Sequence, residues 1–364
     1  MKEKILIVTN MYPSDKYPHY GVFVKNTADI LMEEGYEIDV VSLKKHTTFL
    51  TKLFSYLVFY IKTIFYIIFK KYDVVYAHYV SHTALPILIA KSIKTSIRIV
   101  SNVHGNDIVE ETPHDKKYFK YSRRLLEISE YVIAPSEYFK NILIKIYNVG
   151  NEKICIYPSG GVNTEIFKKM DRDEALNHCR LDKKFKYFGY VSRIEHNKGW
   201  DILLKAFSQI KDEIQEVKLI VVGDGDEIED YNRMVNELGL KEDIIKYSLL
   251  SQRELSYVFN CLDVFVFPTR RESESLGLVG LEAMACGCLT LLSNKYGPSN
   301  YGKEGVNAFL FDPKNENALA KKLLYCSNRK FDEITSNAIS TANSYSIIET
   351  RRILINFFND FFCQ

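Results

Sequence analysis

This sequence predicts an α/β protein of two parallel-sheet domains, on three observations. The chain has 364 residues, too long for one ordinary core and suited to two domains of average size. Short apolar segments rich in β-branched and aromatic residues alternate with helical stretches, in two separate series. Between the series lies a cluster of turn-forming residues, Tyr157-Pro158-Ser159-Gly160-Gly161, followed by a mixed, charged stretch to about Lys186.

The first series opens with a buried strand, Ile5 to Val8, then a loop to Tyr20 and a helix from Val22 to Glu34 that stops at Gly35. Ile38 to Leu43, Asp73 to Tyr76, Ile97 to Val103 and Tyr131 to Ala134 read as further strands, each followed by a polar turn and a helical stretch. The second series has strands at Tyr187 to Val191, Lys218 to Val222, Val264 to Phe267 and Leu289 to Ser293. Its helices are Asp201 to Ile210 and Val279 to Ala285, and the tail from Ser346 to Phe361 has helical spacing. The domains are placed at 1–165 and 180–345, with the helix at 346–364 expected to pack back on the first. Ligands of parallel sheets bind at the carboxyl ends of the strands, so the loops there are where chemistry is sought.

Composition excludes some classes. Net charge is +2, so global charge does not argue for nucleic acid, and any anion site must be local. The seven cysteines include no C-x-x-C pair, which reads as reduced thiols in a cytoplasmic protein. Lys2, Glu3 and Lys4 lead straight into a strand, so no signal peptide is expected at this end.

Two loops carry candidate chemistry. Ser192-Arg193-Ile194-Glu195-His196-Asn197-Lys198-Gly199 follows a strand and precedes a helix. Two cations there can converge on one diphosphate, and the glycine permits close backbone approach. Taken alone, the loop can equally be a solvated turn. The second is Arg270 to Gly287, with Ser275-Leu276-Gly277-Leu278 where a helix should begin. A helix N-terminus offers free amides to phosphate or sugar oxygens. Glu282, about two turns in, can accept hydrogen bonds from a ribose diol, although two glutamates eight apart are commonly just a surface face.

Together these residues resemble the family 4 retaining glycosyltransferases. The similarity continues through Asp201 to Phe207, Val222-Gly223-Asp224-Gly225, Phe267-Pro268-Thr269, Glu274 to Gly287 and Gly305 to Leu310. In the first half it includes Gly21, His104-Gly105-Asn106-Asp107 and Pro158 to Gly161. The resemblance implies a GT-B architecture, two Rossmann-like parallel-sheet domains facing a central cleft. It implies a retaining enzyme that moves a sugar from a nucleotide diphosphate sugar, UDP-linked, to a glycan or lipid-linked acceptor, with no metal and no cofactor. Arg193 and Lys198 would then clamp the diphosphate, and Glu282 would bind the ribose. Glu274 and the amides of Leu276, Gly277 and Leu278 would hold the transferred sugar and distal phosphate. Gly21 would let a loop approach the phosphates, and His104 would sit near the reacting carbon. The chain departs from the pattern at Tyr20, Leu276 and Leu289, where the family favours Gly, Phe and a nearby Pro; these positions bear on donor identity.

Other signals weigh less. Asp224-Gly225-Asp226 could be a metal motif, but fits a turn near the donor better. His78 and His82 have the spacing of a zinc pair on a helix, yet no third ligand follows; they are read as cleft-lining or surface residues. His196 is expected to be exposed. Phe49 to Phe69 is nearly long enough to span a membrane. At 100° per residue, Thr48, Thr51, Lys52, Ser55, Lys62, Thr63, Tyr66 and Lys70 share one stripe, so an amphipathic helix with a wide apolar face is expected. It is either a core helix or a peripheral membrane contact flanked by Lys44, Lys45, Lys70 and Lys71, at the inner face of the cell membrane. Against the transferase stand an epimerase or hydrolase on the same fold and a non-catalytic nucleotide-sugar binder.

Overall fold

A computed structural model describes residues 3–18, 20–43, 49–112, 115–158 and 160–363. Lys2, Lys44, Lys45, Thr48 and Ser159, used above, lie outside the described residues. The chain divides into two compact units, 1–160 with 350–364, and 161–349.

The first unit runs β1 (Lys4–Thr9), α1 (Val22–Glu33), β2 (Glu37–Ser42), α2 (Phe49–Phe69), β3 (Val74–His78), α3 (Val80–Ile93), β4 (Arg98–Asn102), α4 (Lys116–Ile128), β5 (Tyr131–Ala134), α5 (Glu137–Tyr147) and β6 (Ile154–Ile156). Its six strands are parallel, in the order β2-β1-β3-β4-β5-β6. Alternation decides which helix covers which face. Leu6, Val8, Val75 and Ala77 pack under α2 to α5, whereas Ile5, Ile7, Val74 and Tyr76 pack under α1 and the C-terminal helix.

The second unit runs α6 (Arg172–Cys179), β7 (Lys186–Val191), α7 (Trp200–Ile210), β8 (Val217–Val222), α8 (Ile228–Glu237), β9 (Ile244–Tyr247), α9 (Gln252–Cys261), β10 (Val264–Phe267), α10 (Leu278–Ala285), β11 (Leu289–Ser293), β12 (Phe309–Phe311), α11 (Glu316–Ser327) and α12 (Asp332–Ser344). Its strands are also parallel, in the order β12-β11-β10-β7-β8-β9. The last helix, α13 (Ile347–Cys363), buries Leu354, Phe358 and Phe361 in the first unit's core. Arg351 ties it to Glu33 and Glu34 at the end of α1.

Three strands are absent from the sequence reading: β6, β9 and β12. Each has three or four residues and lies at a sheet edge, and β6 and β9 are only half-buried. Edge strands of that length carry too few residues for alternation to show.

Candidate functional site

In the second unit the two candidate loops meet at the carboxyl ends of β7 and β10. After β7 the chain makes a single turn, His196–Lys198, closed by Lys198 N–H donating to the Glu195 carbonyl at 2.8 Å. Gly199 follows at φ 78°, and a Cβ there would lie 2.1 Å from the Pro268 carbonyl oxygen. The glycine thus permits a close backbone approach to Pro268. It sets Lys198 beside the loop after β10, where its Nζ donates to Glu274 Oε2 at 2.5 Å. Thr269 Oγ1 donates to the same oxygen at 3.1 Å. Both charged side chains are largely buried, at 9% and 12% exposure, so this is an ion pair withdrawn from water.

Arg193 is placed differently. Its guanidinium pairs with Glu195 at 2.5 Å and is 59% exposed. Sequence reasoning missed Arg270, which holds the turn in place. Its guanidinium donates to the His196 carbonyl and pairs with Asp201 at 2.6 Å, while its backbone N–H donates to the Asn197 carbonyl at 2.7 Å. The signal for it was positional: a cation directly after Phe267-Pro268-Thr269. His196 is exposed, as expected.

The helix α10 begins at Leu278, the last residue of the stretch expected to open it and one before the Val279 start read from the sequence, with Gly277 capping it at φ 79°. Sterics fix that start. A Cβ on Gly277 would meet the Phe267 ring at 2.5 Å, and the Gly277 carbonyl accepts from the Tyr301 hydroxyl at 2.9 Å. Segment 274–276 runs against Gly297, whose Cβ would lie 2.8 Å from the Glu274 oxygen. Leu276 is buried by this packing. The amides of Leu276, Gly277 and Leu278 donate to no described residue, so the helix start leaves N–H groups free for an anion. Glu282 consequently sits just over one turn into α10, not two. Its carboxyl has no hydrogen-bond partner among the described residues, and burial raises its pKa to about 7.

Asp224 and Asp226 lie on the loop after β8. Gly223 and Gly225 press that loop against Ser192 and Ile194, and Ile194 N–H donates to the Asp224 carbonyl at 3.0 Å. No group of three metal-binding side chains occurs among the described residues.

In the first unit, Gly21 caps α1 at φ 78°, and a Cβ there would lie 2.7 Å from the Met11 backbone. His104 follows β4 in a turn organised by Asp107. One carboxylate oxygen accepts from the amides of His104 and Gly105 at 3.0 and 2.9 Å, the other from Val80 at the start of α3 at 3.1 Å. Burial raises the Asp107 pKa to about 6 and lowers that of His104 to about 3, so His104 is neutral at physiological pH.

The sequence reading of His78 and His82 needs correction. His78 ends β3, fully buried, while His82 is on α3 and bonds the Tyr56 hydroxyl at 3.0 Å; they do not share a helix face. His78 Nδ1 instead pairs with His104 Nε2 at 3.0 Å. His78 Nε2 is buried without a partner. A buried N–H without an acceptor is rarer than an idle lone pair. The network therefore assigns the proton of His78 to Nδ1, donating to His104, and puts the His104 proton on Nδ1.

Two family models match the chain: Glycosyltransferase Family 4 over residues 9–165 and Glycosyl transferases group 1 over residues 171–342. An uncharacterized glycosyltransferase of Methanocaldococcus jannaschii is 24% identical over 347 residues, 87% of each chain. A D-inositol 3-phosphate glycosyltransferase of Segniliparus rotundus is 29% identical over 168 residues, 45% of this chain but 37% of that one. Among solved structures, sucrose-phosphate synthase of Thermosynechococcus elongatus superimposes with a TM-score of 0.78 at 17% identity, over 100% of both chains. Anabaena HepE in complex with UDP does so at 0.76 and 18%, over 98% of this chain and 100% of that one.

Proposed function

The chain belongs to the group 1, family 4 glycosyltransferases and has their GT-B architecture, and from that premise we propose that it transfers a sugar from a UDP-linked donor with retention, without a metal, to a glycan or lipid-linked acceptor. The observation that supports this most is the second unit's group of one buried ammonium, three free amides and one unpartnered carboxyl. HepE, of the same fold, has been solved with UDP and with UDP-glucose.

The chemistry follows from charge. Breaking the bond from sugar to diphosphate builds negative charge on the leaving phosphate. Lys198, the amides of Leu276, Gly277 and Leu278, and Arg193 once released from Glu195 would stabilise it, as preorganised donors do in a site withdrawn from water. Glu274 holds Lys198 in place and offers its remaining oxygen to a sugar hydroxyl. Glu282 accepts from the ribose diol. His104 presents an N–H, which suits it to hydrogen-bond a sugar oxygen rather than to act as base. The leaving phosphate then takes the acceptor hydroxyl's proton, and attack from that same face retains configuration. The enzyme works in the cytoplasm, at the inner membrane face when the acceptor is lipid-linked.

The test is a panel of nucleotide sugars by thermal shift, in which UDP-linked donors should stabilise the chain by about 2.7 kcal/mol at 100 times their dissociation constant. The product's anomeric configuration by NMR decides retention. Transfer in excess chelator decides metal independence; loss restored by magnesium or manganese would move attention to Asp224 and Asp226. Epimerised or free sugar as the sole product, with acceptors present, would favour the epimerase or hydrolase reading.

A further inference from the structure

The outward side of α2 has no role in the transfer chemistry. Inward, Phe59, Thr63 and Ile67 are buried at successive helical turns, and Phe59 and Ile67 join the first unit's core. Tyr56 bonds His82 on α3, and Lys94 Nζ donates to the Ile67 and Lys70 carbonyls at 2.9 and 3.0 Å, closing the helix's C-terminal end. These contacts dock one side of α2 on the first unit, although the helix is long and apolar enough to cross a membrane.

Outward, Leu50, Phe54, Leu57, Ile61, Phe65 and Phe69 are each at least 50% exposed. At 100° per residue they fall on one arc of about 120°. A helix at a water-facing surface normally turns that arc to the core. Here the inward stripe contains Thr63, whose hydroxyl must bond the Phe59 carbonyl, and borders Ser55 and Tyr66. An apolar surface of this extent marks an interaction site.

Charge identifies what covers it. The α2 segment carries Lys52 and Lys62 and no acid. The α4 segment, KKYFKYSRRLLEI, carries five cations and one acid, and its Lys116, Lys117, Lys120, Arg123 and Arg124 are exposed. Lys116 pairs with Glu110 and Arg124 with Glu127, whereas Lys52, Lys62, Lys117 and Lys120 pair with no described carboxylate. Between the two helices runs a groove with Tyr56, Leu57, Tyr60 and Tyr118 on its walls, and Lys52 and Lys117 among its lining residues. A second copy of the chain across a two-fold axis would bring these lysines against one another.

We propose that α2 and α4 together form a docking surface for an anionic bilayer. The outward arc of α2 enters the boundary between headgroups and acyl chains, and Lys62, Lys117 and Lys120 meet lipid phosphates. The surface gives physical content to the membrane-side location above but is independent of the transfer step: a chain unable to move sugar would still dock, and failure to dock leaves donor binding intact.

The experiment is co-sedimentation of the full chain with phosphatidylglycerol/phosphatidylcholine vesicles and with phosphatidylcholine alone, at low and high salt, alongside gel filtration. The expected result is sedimentation with the anionic vesicles at low salt and release at high salt. Lys117→Gln and Lys120→Gln should each weaken partitioning about fivefold. The double variant Leu57→Gln/Ile61→Gln should release the chain with an unchanged melting temperature. No binding to anionic vesicles overturns the proposal, as does equal binding to both vesicle types. So does a dimer that the double variant dissolves, or a double variant that melts early while both lysine variants bind as wild type.

Discussion

The two units place their candidate residues at equivalent points, the carboxyl ends of parallel strands, yet finish them in opposite ways. In the first unit the groups around His104 mostly engage one another: three amides donate to Asp107 and His104 pairs with His78, whose Nε2 is left without a partner. In the second, an ion pair is buried, three amides are idle and Glu282 has no partner. The Asp107 turn is a fixed frame. The free amides and the unpartnered carboxyl of the second unit are groups that a polyanionic, hydroxyl-rich ligand would satisfy.

The largest effect that would break this contrast is at Lys198. Lys198→Ala is expected to lower turnover at least about a hundredfold and to destabilise the chain by about 3 kcal/mol, because Glu274 is left buried without its cation. Arg193→Ala should cost similar turnover with no change in melting temperature, since its side chain is largely in water. Equal melting losses, or near wild-type turnover in both, would end the claim that the two cations differ in kind.

Next is the frame itself. Asp107→Ala strips three amides of their acceptor and should destabilise by about 3 kcal/mol in denaturant titration, with UDP affinity unchanged. Smaller again is His78→Leu. Without its donor, His104 is free to take the other tautomer; kcat should fall about tenfold, the size expected of one misplaced proton donor, while the donor KM stays constant. His78→Asn, which keeps an N–H near the position of Nδ1, should recover part of the loss. A purely structural histidine would instead move melting temperature and KM together.

The smallest effect is at Glu282. The folded pKa of Glu282, about 7, lies above its ordinary value. A carboxyl raised in this way costs stability as pH rises, because the unfolded chain gives up the proton first. Glu282→Gln should therefore stabilise the ligand-free chain by about 1–2 kcal/mol near neutral pH and above, with the gain vanishing below the usual carboxylate range. The same change should weaken donor binding. In the unmodified chain donor affinity should rise roughly tenfold as pH climbs through 7, where the carboxylate that accepts the diol forms. Affinity flat across that range would remove Glu282 from the site.

The contrast also explains what could be read in advance. Charged groups announce themselves, so Arg193, Lys198, Glu274 and Glu282 stood out, and their loops do meet. Gly21 was legible only through the family resemblance, and Gly277 through the helix start it precedes. The contribution of His78 was hidden because it depends on β3 and β4 being neighbours, which no local spacing encodes. Arg270 was hidden because its partners, the Asp201 carboxylate and the His196 carbonyl, lie 69 and 74 residues away in the chain. The depth of Glu282 in its helix was read as two turns because Phe267 and Tyr301, distant in sequence, decide that the helix starts only after Gly277. On α2 the apolar arc was legible, but which side faced the core was not; that depended on which of its side chains fit against α3.

The return of α13 to the first unit has a consequence for synthesis. Leu354, Phe358 and Phe361 complete a core layer whose other members, among them Ile5, Ile7, Val74 and Tyr76 and Val24, Ala28 and Leu31 of α1, leave the ribosome hundreds of residues earlier. One face of the first sheet therefore stays covered by α1 alone while everything from Gly161 to Glu349, a unit with its own core, is made and can fold. The half that starts first finishes last. Until the final turns of the chain emerge, the nascent protein presents a half-covered β-surface, the state in which a chaperone has most to hold and a premature stop does most harm.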